Sequence, residues 1–276
     1  MSEPNFSESQ LQQAANSAFI RYIFEQHGTW AFAHVPSLMA EFNLGWDTAF
    51  YLHWLPHVPL AADEGCNFFL QYKLSSELTS PGAKESSHWG AHYFRFKIPH
   101  CTRDASGQLV DDYHQWERLK NLSDKNYPTF YATNSTLRKS DIHSALEAGT
   151  LFNFVPLLDV RDISAMHKHV TFTSSSNFFH LHSDKERAAK ARFVETLNLL
   201  GKSKQSTLEA SVNELVHVLQ GIAGKSGDWS RDLARISAMP FQRIPPEIHA
   251  SVRYVFLASF VSKHLGAQLV WLPKWR

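Results

Sequence analysis

Cysteine is scarce. The 276 residues hold two, Cys66 and Cys101, too few for a disulfide framework, so a reducing cytoplasm is the expected setting. No basic start followed by an apolar run marks the N-terminus as a leader. Long apolar runs are also lacking. The most apolar late segment, "YVFLASFV" at 254–261, lies between Arg253 and Lys263 and falls well short of the roughly 20 residues that a membrane span needs. It reads as a buried helix, and no membrane partner is expected. Neither sign of charge dominates, with 27 Lys and Arg against 26 Asp and Glu and a formal charge of +1. A polyanion site must therefore be a local patch. A glycine-rich Walker loop is missing, so nucleotide-driven motor activity would need a partner protein. Without a nucleophile-elbow pattern there is also no case for a serine hydrolase.

What is present is the composition of a folded globular chain, 43% apolar and 19% charged, long enough for one large core or for two domains. Ser7 and Gln10 fit a capping box, and apolar residues at helical spacing from Leu11 to Ile23 predict an amphipathic helix that Gly28 ends. In "VPSLMAEFNLGWDTAFYL", Ser37 can cap a short turn carrying Glu41, and "WDTAFYL" has strand composition, which sets Asp47 near a strand start. A hairpin connection with two prolines, an acidic pair and a glycine then leads into a strand at 67–74. There Phe69, Gln71 and Lys73 share a face. "AHYFRFKI" predicts another strand, "DYHQWERLKNL" a helix and "YPTFYAT" a strand. From Ser140 the order is helix, strand, strand. Beyond Ser183 the pattern reads as almost wholly helical, with a capping box at Ser206 and Glu209 and a last helix running from Pro246 to Gly266. Domains are therefore expected at 1–183, α/β, and 184–276, helical, the second a candidate for dimerisation or for docking a partner protein.

The order helix, Glu41, Asp47 at a strand start, hairpin, Gln71-x-Lys73 on the next strand, and Gln115 on a later helix resembles the PD-(D/E)XK nuclease superfamily over residues 8–135. "EFNLGWD" matches the acidic helix end and the Asp strand, and "FFLQYKL" the second half-motif. "HQWERLKNL" followed by "YPTFYAT" matches the crossover helix and its strand. The resemblance implies an α/β, restriction-endonuclease-like core with a central mixed sheet flanked by helices. It also implies metal-dependent phosphodiester hydrolysis, of DNA rather than RNA, with Mg2+ or Mn2+ held by Asp47, Gln71 and Glu41. Hydrolysis needs the scissile phosphate neutralised and a water activated near neutral pH, and a hard cation on oxygen ligands does both. Lys73 would orient the water or stabilise the developing charge. Gln115 would hold a water or phosphate. Such chains often belong to bacterial conflict with phage.

Two departures stand out. Trp46 takes the place of proline, and Gln71 stands where an acid is usual, which removes a negative charge from the ion's ligands. That loss favours the alternative of a catalytically inactive nuclease fold acting as a nucleic-acid-binding or assembly module. A plain edge strand guarded by polar side chains is a further reading of Gln71 and Lys73.

Other residues carry competing signals. Tyr93, Arg95 and Lys97 share one strand face and suit phosphate contact or base stacking, or else a solvated face. The basic run "DKERAAKAR" reads as a solvated helix face. Among 16 histidines, two alternating pairs stand out, His167 with His169 and His180 with His182. Alternate strand residues face one way, so each pair can offer imidazoles to a transition metal. A zinc hydrolase built on them requires the pairs to converge in space.

Overall fold

The computed structural model describes residues 1–29, 31–33, 59–83, 85–99, 102–103, 106, 108–111, 115–182, 186–203, 205–223, 227–238 and 245–274. Glu41, Asp47 and the expected strand "WDTAFYL" lie outside the described residues. Two units divide the chain, Met1–Phe19 with Leu70–Leu197 and Ile20–Phe69 with Asn198–Arg276. Both combine strands with helices, an α/β composition. Helix α1 (Glu8–His27) and strand β2 (Glu64–Lys73) pass from one unit into the other.

Helix α1 starts where the sequence predicts. The Ser7 N–H donates to Gln10 Oε1 at 2.9 Å and the Gln10 N–H to Ser7 Oγ at 3.2 Å, a reciprocal capping box. Leu11, Ala15, Ala18, Phe19 and Ile23 are buried along one stripe. Ser7→Ala is expected to cost about 1 kcal/mol, read as a lower urea midpoint with unchanged slope.

In the first unit a five-stranded sheet has the order β11-β10-β9-β4-β3, from β3 (Ser76–Leu78), β4 (Tyr93–Lys97), β9 (His169–Phe172), β10 (Phe178–His182) and β11 (Glu186–Ala189). Its neighbouring strands all run antiparallel. Alternation sorts its residues onto two faces. Phe94, Phe96, Val170, Phe172, Phe179, Leu181 and Ala188 are buried on one. Tyr93, Arg95, Lys97, His169, Thr171, Phe178, His180, His182 and Arg187 stand on the other. The register lines them up in rows, Lys97 opposite His169 opposite His182, and Arg95 opposite Thr171 opposite His180 opposite Arg187. A one-turn helix, α2 (Ser86–Trp89), precedes β4 and is closed by Gly90, whose φ of 62° and N–H to Ser86 O bond end the turn. The same unit holds the antiparallel pair β5 (Thr102–Arg103) and β6 (Leu109–Asp111), and β7 (Thr129–Thr133), entirely buried and antiparallel to β8 (Leu157–Asp159), with helices α3 (Gln115–Ser123) and α4 (Lys139–Glu147).

In the second unit β13 (Gln268–Pro273) is buried throughout and pairs with β1 (Phe32–Ala33). β12 (Ser206–Thr207) pairs with the start of β2. Helix α5 (Phe193–Gly201) passes from the first unit into it, and α6 (Leu208–Ala223), α7 (Gly227–Ser237) and α8 (His249–Leu265) complete it. As the sequence predicts, α8 follows Pro246, stops at Gly266 with φ 66°, and buries most of "YVFLASFV". Among the described residues no helix is long and apolar enough to cross a membrane.

Three expectations change. Residues beyond 183 are not wholly helical, since β11, β12 and β13 are strands. "DKERAAKAR" reads as a helix face by charge, yet its residues 186–189 pair with β10 as a strand, Ala188 turned inward. The five apolar residues "LVWLP" carry no periodicity that distinguishes strand from helix. Helix α6 is capped by Thr207, whose Oγ1 accepts from the Ala210 N–H at 3.2 Å, while the Ser206 hydroxyl is engaged with Ser211 Oγ. Finally, β2 has a neighbour on each side, β13 and β7. Gln71 is 4% exposed, with Phe68, Phe69, Leu70 and Tyr72 buried on both faces of the strand, so it does not stand as an exposed polar guard.

Between α7 and α8, Asp232 accepts from Lys263 Nζ at 2.7 Å and pairs with His264 Nε2 at 2.9 Å. Burial pushes the Asp232 carboxyl up, but the hydrogen bonds from Lys263 and His264 outweigh it and the net shift is downward. A carboxyl depressed in the folded state stabilises the fold above its unfolded value of about 3.9 and loses that contribution as pH falls through the folded value. Wild type should therefore lose stability relative to Asp232→Asn only below about pH 4. Urea midpoints of both proteins at pH 7, 5 and 3 check this, and a constant difference down to pH 3 contradicts it.

Candidate metal centre

The outer face of the five-stranded sheet and the turn at Glu85 together build one cluster. Glu85 precedes α2, is 2% exposed, and reaches the sheet below. Its Oε1 lies 2.8 Å from His169 Nε2, its Oε2 accepts from Tyr93 Oη–H at 3.2 Å, and Arg95 Nη1 is 3.9 Å from the same oxygen. Burial pushes the Glu85 carboxyl up, but hydrogen bonds from His169 and Tyr93 and the imidazoles nearby bring it below its usual value. It is an anion held in a protein frame.

His169 and His182 face each other across the β9/β10 ladder with rings stacked at 4.8 Å. His182 Nε2 is 2.7 Å from Thr171 Oγ1, and Thr171 in turn accepts from the Trp89 indole N–H at 3.0 Å. An indole only donates, so the Thr171 hydroxyl hydrogen is available to the His182 nitrogen. Burial, with His169 beside it, lowers the His182 pKa to about 4. His182 is therefore neutral at physiological pH, the form in which a histidine ligates. Ligand atoms of Glu85, His169 and His182 all lie within 4.8 Å of one another. Around them sit His180, in ring contact with Trp89 and Phe178 at 5.1 and 5.2 Å, and His88, 5.5 Å from His180 and 6.0 Å from His182.

Of the two histidine pairs that the sequence singles out, one member of the first and both of the second converge here. His167 does not join them. It is fully buried and its Nε2 lies 3.0 Å from Glu186 Oε2, which also accepts from Ser164. Glu85, Thr171 and Trp89 carry no signal in the sequence that ties them to these histidines. The acid comes from a polar stretch more than 80 residues before the histidines, and no spacing rule joins them.

The nuclease motif residues fare differently. Gln71 is buried in β2, its Nε2 donates to the Tyr72 carbonyl at 2.8 Å, and its Oε1 has no partner among the described residues. Lys73 ends β2 half-buried. Burial pulls its ammonium below the usual range, which Glu8 on α1 partly offsets, and Glu8 is itself raised by burial. Gln115 opens α3 and is buried, its N–H donating to Pro99 O at 2.9 Å. Among the described residues, Gln71 is the one oxygen ligand of the expected Mg2+ set, since Asp47 and Glu41 lie outside them. Tyr93 is 1% exposed and serves Glu85, so its ring is not open to a base. Arg95 is partly exposed beside Glu85, and Lys97 is exposed beside His169.

No protein-family model, curated protein or solved structure matches the chain.

Proposed function

We propose that the chain is a metal-dependent hydrolase of phosphate esters, nucleic acid foremost, whose ion is held by Glu85, His169 and His182. The observation that carries this reading is the convergence of one carboxylate and two imidazoles within 4.8 Å. Two nitrogen ligands and one oxygen suit zinc, iron(II) or manganese better than magnesium, which favours all-oxygen shells. Manganese is thus common to this set and to the nuclease resemblance. Three protein ligands leave a position open, as catalytic sites require. An ion bound there supplies a Lewis acid and lowers the pKa of water toward neutrality.

The chain's own residues do the rest. Tyr93 and Arg95 fix the Glu85 carboxylate, Glu85 holds the His169 ring, and Thr171 and Trp89 fix the His182 ring, so three ligand groups keep their directions before any substrate arrives. Lys97, exposed in the row of His169, and Arg95, beside Glu85, set positive charge next to the open side. That charge is where a phosphate oxygen would lie, and it stabilises the extra negative charge that builds on phosphorus during attack.

A second reading keeps the restriction-endonuclease-like core, with Mg2+ at Asp47, Gln71 and Glu41 and Lys73 as the active-site cation. The half-buried Lys73 beside Glu8, its ammonium made easier to deprotonate, favours it. A third, a nuclease fold that binds without cutting, becomes an outcome of the same test. Single-stranded, linear and circular DNA and RNA are incubated with zinc, manganese or magnesium and with wild type, Glu85→Gln or Lys73→Ala. The first reading expects zinc- or manganese-supported hydrolysis that falls by at least about a hundredfold in Glu85→Gln. Loss in Lys73→Ala alone, with magnesium as the active ion, transfers the activity to the second reading. Binding without hydrolysis under every ion supports the third.

A further inference from the structure

The sheet face that carries the metal ligands also carries aromatic rings that the core does not use. Trp89 stacks on Phe178, with ring centres 5.4 Å apart and planes 17° from parallel. Both are half-buried, unlike Phe94, Phe96, Phe172 and Phe179, which close the inner face. His180 meets the two edge-on at 5.1 and 5.2 Å, and the Trp89 indole N–H donates to Thr171 Oγ1 at 3.0 Å. The pair is thus held in place from the sheet side. Arg187 is exposed, and its guanidinium lies over the Phe178 ring, 4.8 Å from the centre. Rings left half in water gain from a flat partner that covers them.

The charges around the pair say what that partner is. Arg95, Lys97 and Arg187 stand on this face. Two acids accompany them, Glu85, which is buried, and Glu3, which accepts from Ser76 Oγ on β3 at 2.6 Å. A partner with both a flat π-face and negative charge fits, and an unpaired nucleotide has each. Phe178, His180 and His182 alternate along β10, which sets Phe178 about 13 Å from the metal ligand His182 along the strand. A single strand laid along β10 can therefore put a base on the rings and one of its phosphates at the ion. A duplex cannot, because its base faces are stacked inside the helix.

We propose that Trp89 and Phe178, rimmed by Arg187, form a base-stacking subsite that makes the substrate of the metal centre a single-stranded nucleic acid. The subsite rests on the hydrolase reading and names its substrate. Every base has a π-face, so the subsite selects single strands and not sequence.

A strand without bases isolates the subsite from the metal. A fluorescent single-stranded oligonucleotide, one of equal length that lacks every base, and the duplex are titrated by anisotropy in a chelating buffer. The proteins are full-length wild type, Trp89→Ala and Phe178→Leu, each shown to be folded by circular dichroism. Without an ion, the hold of Trp89 on His182 does not enter, and Phe178→Leu keeps an apolar side chain should Trp89→Ala fail to fold. Wild type is expected to prefer the natural strand to the base-free one by about 5- to 150-fold, the factor for one stacked base, and to bind duplex more weakly. Both variants should lose that preference and hold the base-free strand as wild type does. A preference retained in either folded variant, equal affinity of wild type for the two strands, tighter binding to duplex, or no binding overturns the subsite. Hydrolysis of the natural strand in zinc or manganese judges the hydrolase reading apart. Base-dependent binding with no hydrolysis keeps the subsite and overturns that reading, while hydrolysis without base-dependent binding does the reverse.

Discussion

Glu85→Ala is expected to lower the affinity of the chain for zinc by at least about a hundredfold and to abolish stabilisation by the ion. Outer hydrogen-bond partners of metal ligands are worth about 10–100-fold in affinity, and Glu85 is a ligand itself, the one carboxylate of the group. Its removal leaves two imidazoles, and it also takes away the group that orients His169, whose Nε2 is 2.8 Å from Glu85 Oε1. In wild type, zinc at a hundred times its dissociation constant should raise folding stability by about 2.7 kcal/mol. Titration against a chromophoric chelator, with thermal unfolding in zinc and in a chelating buffer, reads both quantities. The variant should unfold at one temperature in the two buffers. An equal zinc-induced rise in Glu85→Ala contradicts the assignment of this residue as a ligand.

Gly65→Ala is expected to destabilise the chain by about 3 kcal/mol or more, beyond the usual range for one added methyl group. A Cβ at position 65 would lie 2.5 Å from the Leu272 carbonyl oxygen and 2.6 Å from two atoms of the Trp271 ring. Neither neighbour can move aside. The first is backbone of β13, and the second is a fully buried indole at the centre of the second unit. Position 65 also pairs with Ser206 of β12, so a shift of the strand would break that ladder as well. For a chain of this length, 3 kcal/mol corresponds to a fall in melting temperature of about 6–12 °C. Urea unfolding of both proteins checks it through the midpoint, with the slope unchanged. A loss below about 1 kcal/mol would show that β2 and β13 separate easily, against the close approach at Gly65.

How legible these features were depends on how far the interactions reach along the chain. The capping box of Ser7 and Gln10 is a matter of three residues, and its hydrogen bonds form as the sequence predicts. The alternation in "HYFRFKI" and "FFHLHS" is equally local, and it gave the two faces of β4 and β10. What alternation lacks is a partner. Nothing in "CNFFLQYKLSS" says that both faces of β2 are covered, and that cover is what buries Gln71. "DKERAAKAR" carries the charges of an exposed helix, and only the pairing of its residues 186–189 with β10 makes it a strand. The site follows the same division. His169, His180 and His182 were visible as alternating pairs, but the register that stacks His169 on His182, and the turn that lowers Glu85 onto them, are relations between segments distant in sequence. Gly65 likewise read as hairpin punctuation, while its function is to let Trp271 and Leu272 approach.

The most direct test of the metal centre is a crystal structure of the zinc-loaded full chain, with an anomalous difference map recorded on either side of the zinc absorption edge. A peak bonded at about 2.0–2.2 Å to Glu85, His169 and His182 is the predicted result. Zinc-edge density confined to the neighbourhood of Gln71 and Lys73, or absent from the outer face of the β4, β9 and β10 sheet, would contradict it.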